Sequence, residues 1–228
     1  MTEKTTAITA KVVARLSLYR RLLASEAAGG ARHIYSHQLA TMAGVSAEQV
    51  RHDMMAVGYN GTPVRGYCIG ELMRFIDGLL DAAQGQNAAI VGLGHLGRAI
   101  TVYSAGRWPK LSIVAAFDND PAKAGQVING CACYQDTEIS RIVAERDIRV
   151  AIITVPASEA QKVADTLVQA GVKGILNFAP ARLRVPPDVY VENMDVAVSL
   201  EKVAYFARQG PDRKVAAARA MGREDAIQ

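Results

Sequence analysis

Residues Ile90-Val91-Gly92-Leu93-Gly94-His95-Leu96-Gly97-Arg98-Ala99 constrain the fold more than any other stretch of the chain. A short apolar run enters a G-x-G-x-x-G turn and continues as a helix. In such a turn the first glycine permits the sharp bend. The second lets the backbone approach a pyrophosphate, and the third lets the helix pack close to the strand. The pyrophosphate would sit on the free N–H groups of the helix N-terminus. The next apolar run, Ser112 to Phe117, ends in Asp118. An acid at the end of the second strand suits a ribose 2′-hydroxyl. The segment therefore predicts a dinucleotide-binding domain. The bland alternative is a glycine cluster that serves helix packing in a similar domain with another ligand.

About ninety residues precede this turn, and they read differently. Residues 10–66 hold Lys11, Arg15, Arg20, Arg21, Arg32, Arg51 and Arg65 against Glu26, Glu48 and Asp53. That excess equals the net charge of the whole chain, +4. A compact basic module suits a polyanion, although a solvated basic face has the same composition. Half of the 228 residues are hydrophobic and 21% are charged, so a packed globule of one large or two small domains is expected. No apolar run reaches the roughly eighteen residues of a membrane span. No signal-peptide core follows Met1-Thr2-Glu3-Lys4, so the cytoplasm is the expected compartment. Three cysteines are an odd count, against a disulfide framework. Cys131 and Cys133 form C-x-C in an expected strand, with Cys68 far away. They read as small buried hydrophobes rather than half a metal site.

Along the chain, Val12, Leu16, Tyr19 and Leu23 recur at helical spacing and predict a helix over 10–28, ended by Gly29-Gly30. Ser36 is a candidate N-cap for a short helix from His37 to Ala43. Ser46-Ala47-Glu48-Gln49 reads as a capping box opening a third helix to Val57. On it Val50, Met54 and Val57 face inward, while Gln49, His52, Asp53 and Ala56 face outward. Two short helices joined by Gly44-Val45 make a helix-turn-helix pattern, whose second helix can offer side chains to base edges. Asn60 to Tyr67, with Gly61, Pro63, Arg65 and Gly66, reads as a turn-rich hairpin, the wing of a winged helix. Glu71 to Ala83 reads as a linking helix, and Gln84-Gly85-Gln86-Asn87 as a domain boundary. Strands over 88–92, 112–117, 131–134, 149–155 and 174–178 then alternate with helices over 95–105, 136–145 and 157–170. That alternation predicts an α/β, doubly wound parallel sheet. Val189 to Glu192 adds a last strand. Asp195 to Arg208 is an amphipathic helix with Val196, Leu200, Val203 and Phe206 on one face, broken by Gly210-Pro211.

With these motifs in order, the chain resembles the Rex family of redox-sensing transcriptional repressors. The resemblance runs from Arg15 to Tyr205. It rests on Arg15-Leu16-Ser17-Leu18-Tyr19-Arg20, Val50-Arg51-His52-Asp53, the glycine turn leading to Tyr103, and Ala116-Phe117-Asp118. Val155-Pro156-Ala157 with Gln161, Gly174-Ile175-Leu176-Asn177-Phe178-Ala179-Pro180 and Asn193-Met194-Asp195 complete it. It implies a winged-helix DNA-binding domain over 1–84 and a Rossmann-like NAD(H)-binding domain over 85–194. It also implies a helix exchanged between the subunits of a homodimer over 195–209; the polar, Ala/Arg-rich stretch over 210–228 reads by its composition as a mobile tail. The family senses the NADH/NAD⁺ ratio, NADH releasing operator DNA. Its switch cluster of Arg, Tyr and Asp maps onto Arg15, Tyr103 and Asp195. The chain departs from the family at His52, where Lys is usual, and at Met55-Ala56-Val57, where Ser-Tyr-Phe is usual. It also departs at Thr62-Pro63, where a Lys-Arg pair is usual, and at His95, where Asn is common.

Three functions compete: a ligand-gated repressor, a nicotinamide-dependent oxidoreductase, and a CoA- or nucleotide-binding subunit. An oxidoreductase needs a proton donor and an orienting charge near the nicotinamide. Thr154-Val155-Pro156 and Asn177-Phe178-Ala179-Pro180 offer neither. The expected reading is a redox-sensing repressor with no catalytic residues and no metal. Gly92, Leu93, Gly94, His95, Leu96, Gly97, Tyr103, Asp118, Thr154, Val155, Pro156, Asn177 and Phe178 would hold NADH or NAD⁺. Arg20, Arg21, Gln49, Arg51, His52 and Arg65 would meet double-stranded operator DNA.

Overall fold

The computed structural model describes residues 8–62, 65–107 and 110–208. The chain divides between Gly85 and Gln86 into two compact units. In the first, α1 (Ala10–Ala28) starts at Thr9, whose side chain accepts from the Val12 N–H. It buries Leu16, Tyr19 and Leu23 at the spacing of one helical stripe. Helices α2 (Ser36–Ala43) and α3 (Ala47–Ala56) follow, joined through Gly44. Strand β1 (His33–Ile34) pairs antiparallel with β2 (Tyr67–Cys68), which leads into α4 (Ile69–Leu80). The stripes of all four helices meet in one core of Leu16, Tyr19, Leu39, Val50, Met54, Leu72 and Ile76 among others.

The second unit is a seven-stranded sheet. Its strands are β3 (Gln86–Val91), β4 (Leu111–Asp118), β5 (Val127–Ile128), β6 (Cys131–Gln135), β7 (Ile148–Ile153), β8 (Gly174–Asn177) and β9 (Tyr190–Asn193). The order is β5-β6-β4-β3-β7-β8-β9, and every pairing is parallel except β5 with β6. Helices α5 (His95–Ser104), α6 (Ile139–Glu145) and α7 (Ala157–Gln169) connect the strands. Side chains alternate across the pleat. Ala89, Val91, Ala115, Phe117, Ala151 and Ile153 pack with α6 and α7. Ile90, Ala116, Ile152, Cys131 and Cys133 form the other core, against which Ile100 of α5 packs. The sheet is therefore covered on both faces. The two cysteines are small core residues, and burial pushes the Cys131 thiol up to about 11. The strand order reverses direction between β3 and β7. Their C-terminal ends splay the following loops apart there, which opens a crevice.

Several local expectations shift. The linking helix is Ile69–Leu80 rather than 71–83, because Ile69, Leu72 and Ile76 form its buried stripe. Tyr35, not Ser36, stands at the N-cap of α2, and its N–H is taken by the Gln38 side chain. Ser46 does cap α3, but Gln49 does not reciprocate, since its amide turns to Asp53. Asp53 itself is the main correction: it is 1% exposed, facing the core rather than solvent. The two-residue β5, antiparallel to β6, is too short to leave a periodic signal in the sequence. The hairpin tip closes through a Thr62–Gly66 bridge, while Pro63 and Val64 lie outside the described residues. The mobile-tail expectation over 210–228 also falls outside them. The terminal helix α8 (Val196–Ala207) buries none of its residues, and Val196, Leu200, Val203 and Phe206 are each about two-thirds exposed. Among the described residues no helix is long and apolar enough to cross a membrane.

Candidate functional site

The crevice is a cleft of about 490 Å³ lined by Val91, Gly92, Gly94, Leu96, Asp118, Thr154, Val155, Pro156 and Phe178, together with five residues that no motif of the sequence marks as site residues. Gly92 bends at φ +96°, a conformation that β-carbon side chains rarely adopt. A Cβ on Gly97 would lie 2.0 Å from the Gly92 carbonyl oxygen, so α5 rests directly on the turn. Thr154 locks the same point: its hydroxyl lies 2.7 Å from the Gly92 oxygen and 3.0 Å from that of Val91. A Cβ on Gly94 would meet nothing within 4 Å. Gly94 is also the N-cap of α5, and no side chain caps the helix. The first-turn N–H groups lack intrahelical acceptors by geometry, so they form a ready anion site.

Asp118 ends β4 and is 6% exposed. Its Oδ2 accepts from the Leu93 N–H at 2.7 Å and from Lys123 Nζ at 2.9 Å. Its Oδ1 accepts from the Asp120 N–H at 3.0 Å. Burial alone would raise this carboxyl. The Asp120 N–H, Lys123 and the Leu93 N–H outweigh it and hold the group below its ordinary value. One lone-pair position on Oδ1 remains for an outside donor. The approach of Lys123 to Asp118 depends on the 3-10 turn Pro121–Lys123 folding the chain back, which no motif of the sequence marks. Asn119, Asp136, Glu159 and Val163 complete the lining. They lie beyond strand ends or in the first two turns of α7, where no motif marks them.

Other expected cofactor residues are placed less directly. The Leu93 side chain is in the core, so only its backbone faces the turn. Asn177 is 1% exposed, and its amide ties Ala179, Ala181 and Asn193 together. It braces β8 against β9 and is not part of the cleft lining. His95 is exposed in the first turn of α5. Tyr103 lies two turns further along and is 56% exposed, with the Arg107 guanidinium 4.2 Å above its ring. Asp195 caps α8 by accepting from the Val198 N–H.

In the first unit, α3 presents Glu48, Arg51, His52 and Met55 to solvent. Arg51 donates to the Ser36 hydroxyl at 3.3 Å, and His52 lies 3.7 Å from Glu48. Arg21 and Arg65 are exposed. Arg20 is not free to the same degree: it pairs with Asp81 at 2.9 Å and Asp77 at 3.5 Å, tying α1 to α4. Arg15 makes two 2.6 Å bonds to Asp53, which also accepts from the Tyr19 hydroxyl at 2.8 Å and Gln49 Nε2 at 2.9 Å. Burial alone would raise the Asp53 carboxyl, but these donors hold it low. Burial, with the bond to Asp53, raises the Tyr19 phenol. Arg15 thus finds its partner within its own unit, whereas Tyr103 and Asp195 belong to the other.

A family model described as "CoA binding domain" matches residues 83–181. One described as "Putative DNA-binding protein N-terminus" matches residues 7–54. The redox-sensing transcriptional repressor Rex of Chloroflexus aurantiacus is 40% identical over 195 residues, covering 86% of this chain and 92% of that protein. Rex of Listeria monocytogenes is 37% identical over 211 residues, covering 92% and 98%. Among solved structures, RSP, a Rex-family repressor, superposes with a TM-score of 0.79 at 31% identity over 90% of this chain and 95% of that one. RSP in complex with β-NAD⁺ and operator DNA superposes at 0.83 and 30% identity over 97% and 100%.

Proposed function

The chain belongs to the Rex family of redox-sensing transcriptional repressors, and we propose that its second unit holds NADH or NAD⁺ while its first unit holds operator DNA, NADH releasing the DNA. RSP has been solved with β-NADH, and with β-NAD⁺ and operator DNA. The observation that carries the reading is the uncapped start of α5 at an open-faced Gly94, beside an Asp118 with one acceptor position left. These fit a pyrophosphate and a ribose hydroxyl. Gly92, Gly94 and Gly97 with the backbone of Leu93, His95 and Leu96 hold the pyrophosphate, and Asp118 the adenosine ribose. Thr154, Val155, Pro156 and Phe178, backed by Asn177, form the nicotinamide end. Burying an unpartnered cation is costly, so this apolar end favours the neutral reduced ring. Thr154 is committed to the Val91 and Gly92 oxygens, and none of Val155, Pro156, Asn177 and Phe178 is an acid or base. Among the described residues the one ionisable group beside them is Glu159, with no His, Lys or Cys in company, which supports a sensor rather than an enzyme.

Gln49, Arg51, His52 and Arg65 meet the DNA grooves and backbone, with Arg21 on a phosphate. Arg20 reaches a phosphate only by leaving Asp77 and Asp81. Arg15 joins Tyr103 and Asp195 in the switch that the family resemblance suggests only in a state in which it has left Asp53. The exposed apolar face of α8 is exchanged with a second copy in a homodimer. The protein works in the cytoplasm, where operator DNA is. A CoA ester is the competing occupant of the cleft, because the matching family model carries that description. A gel shift with genomic fragments, titrated separately with NADH, NAD⁺ and CoA, tests the reading. NADH releases the DNA and NAD⁺ does not; retention at saturating NADH, or release by CoA instead, refutes it.

A further inference from the structure

All four acceptor positions of the Asp53 carboxylate are filled. Oδ1 takes Arg15 and Gln49, and Oδ2 takes Arg15 and Tyr19. Asp53 and Tyr19 are buried, so α3 is fastened to α1 by a polar joint with two half-buried arms, Arg15 on α1 and Gln49 on α3. An ionised carboxylate can only accept. The Gln49 atom that faces it is therefore the amide nitrogen, and Oε1 is directed elsewhere. Among the described residues Oε1 accepts no hydrogen bond. Gln49 is also the third residue of α3, since Ser46 is the N-cap. In a helix-turn-helix the N-terminal residues of the second helix reach the base edges.

We propose that Asp53 is a positioning residue for sequence readout: it holds Gln49 with its carbonyl oxygen and its second N–H outward, the pair that matches the N6 and N7 edge of adenine. This rests on the DNA-binding reading of the first unit. An amide anchored at its nitrogen cannot exchange its two ends. The usual indifference of a free glutamine between donor and acceptor is thereby removed, and one orientation is presented to the major groove. The ordering entropy of the side chain is met within the protein rather than on binding. Arg15 and Tyr19 act one step further back, by fixing Asp53.

The test uses the full chain and a randomised double-stranded DNA library, counting retained sequences. Wild type enriches an A·T pair at one position, in each half of a two-fold site. Gln49→Ala reduces that preference about tenfold and leaves other positions alone. Asp53→Ala reduces preference at the same position, although Asp53 does not reach solvent, and the double variant loses no more. Gln49→Glu removes the donor for N7 and moves the preference from adenine to cytosine, whose N4 only donates. Should Asp53→Ala fail to fold by circular dichroism, the Gln49 side-chain amide signals of DNA-free wild type decide. They are assigned by their loss in Gln49→Ala. The inference requires them shifted and slow to exchange, and signals at the position of a solvated amide overturn it. Retained DNA whose adenine preference survives Gln49→Ala also overturns it. Wild type that retains no DNA refutes the DNA-binding reading itself.

Discussion

Two alanine substitutions in the glycine turn separate its structural work from its ligand work. In Gly97→Ala the new Cβ lies 2.0 Å from the Gly92 carbonyl oxygen and 3.0 Å from the Thr154 hydroxyl, against 3.4 Å or more for ordinary contact. Neither neighbour is a flexible chain end. The oxygen is backbone, and Thr154 is held to it at 2.7 Å. Helix α5 must move off β3 by more than 1 Å, roughly, to make room. Overpacking of this kind costs about 1–3 kcal/mol, and loosening the Thr154 bond adds about 1 kcal/mol. Replacing glycine in a helix returns about 1 kcal/mol. The net is a loss of about 1–3 kcal/mol, with the cofactor site displaced. In Gly94→Ala the backbone sits at φ −71°, which alanine adopts freely, and nothing lies within 4 Å of the new Cβ. Alanine is a poorer N-cap than glycine by less than about 1 kcal/mol. Stability is therefore nearly kept, while a methyl group stands where the pyrophosphate approaches. NADH affinity falls at least about tenfold, or about 1.4 kcal/mol. Urea unfolding followed by circular dichroism, beside NADH titration calorimetry, reads both quantities. Gly94→Ala that binds NADH like wild type refutes the pyrophosphate assignment. Gly97→Ala that is as stable as wild type refutes the packing argument.

Arg15→Ala strips two of the four bonds from a buried carboxylate and lowers stability by about 2–4 kcal/mol in urea unfolding, whereas Arg15→Ala combined with Asp53→Leu recovers most of it; an unchanged single variant refutes the joint. Asp53 is held below its ordinary 3.8. The stability it contributes is thus present above that value and lost as pH falls through the lower folded one. The gap between wild type and Asp53→Asn should be flat near neutral pH and narrow as pH falls below about 4, and a gap that does not narrow at all between about pH 5 and pH 2 refutes the assignment. Asp118 and Asp120 repel a 2′-phosphate while Lys123 offsets them, so calorimetry should show NADH bound more tightly than NADPH. Asp118→Ala narrows that gap and Lys123→Ala widens it; equal affinities in wild type refute this. Truncation after Met194 removes the exposed apolar face of α8 and lowers the mass seen by light scattering, and a full-length chain that is already monomeric at micromolar concentration refutes the exchanged helix.

What the amino-acid order determined by itself is local and periodic. The stripe Leu16, Tyr19, Leu23 sets α1 because neighbours on a helix face recur every three to four residues. The spacing of Gly92, Gly94 and Gly97 and the alternation of apolar runs with helices define a doubly wound sheet, because each unit must bury its own face. What only the tertiary structure decided are contacts between residues remote along the chain. Asp53 sits at the border of the apolar and polar arcs of α3, and its charge argues for solvent. It is inside because Arg15 and Tyr19, thirty-eight and thirty-four residues earlier, supply the donors that make burial affordable. Arg20 has the sequence appearance of a DNA contact, yet α4 brings Asp77 and Asp81 beside it. Asn177 ends a strand that points at the cleft, but the return of β9 offers Asn193 and turns the amide away. Lys123 reaches Asp118 only because a short turn reverses the chain. In each case the side chain's chemistry is plain from the sequence. Its partner is not, since a polar group's place depends on which donors and acceptors the completed fold leaves within about 3 Å of it.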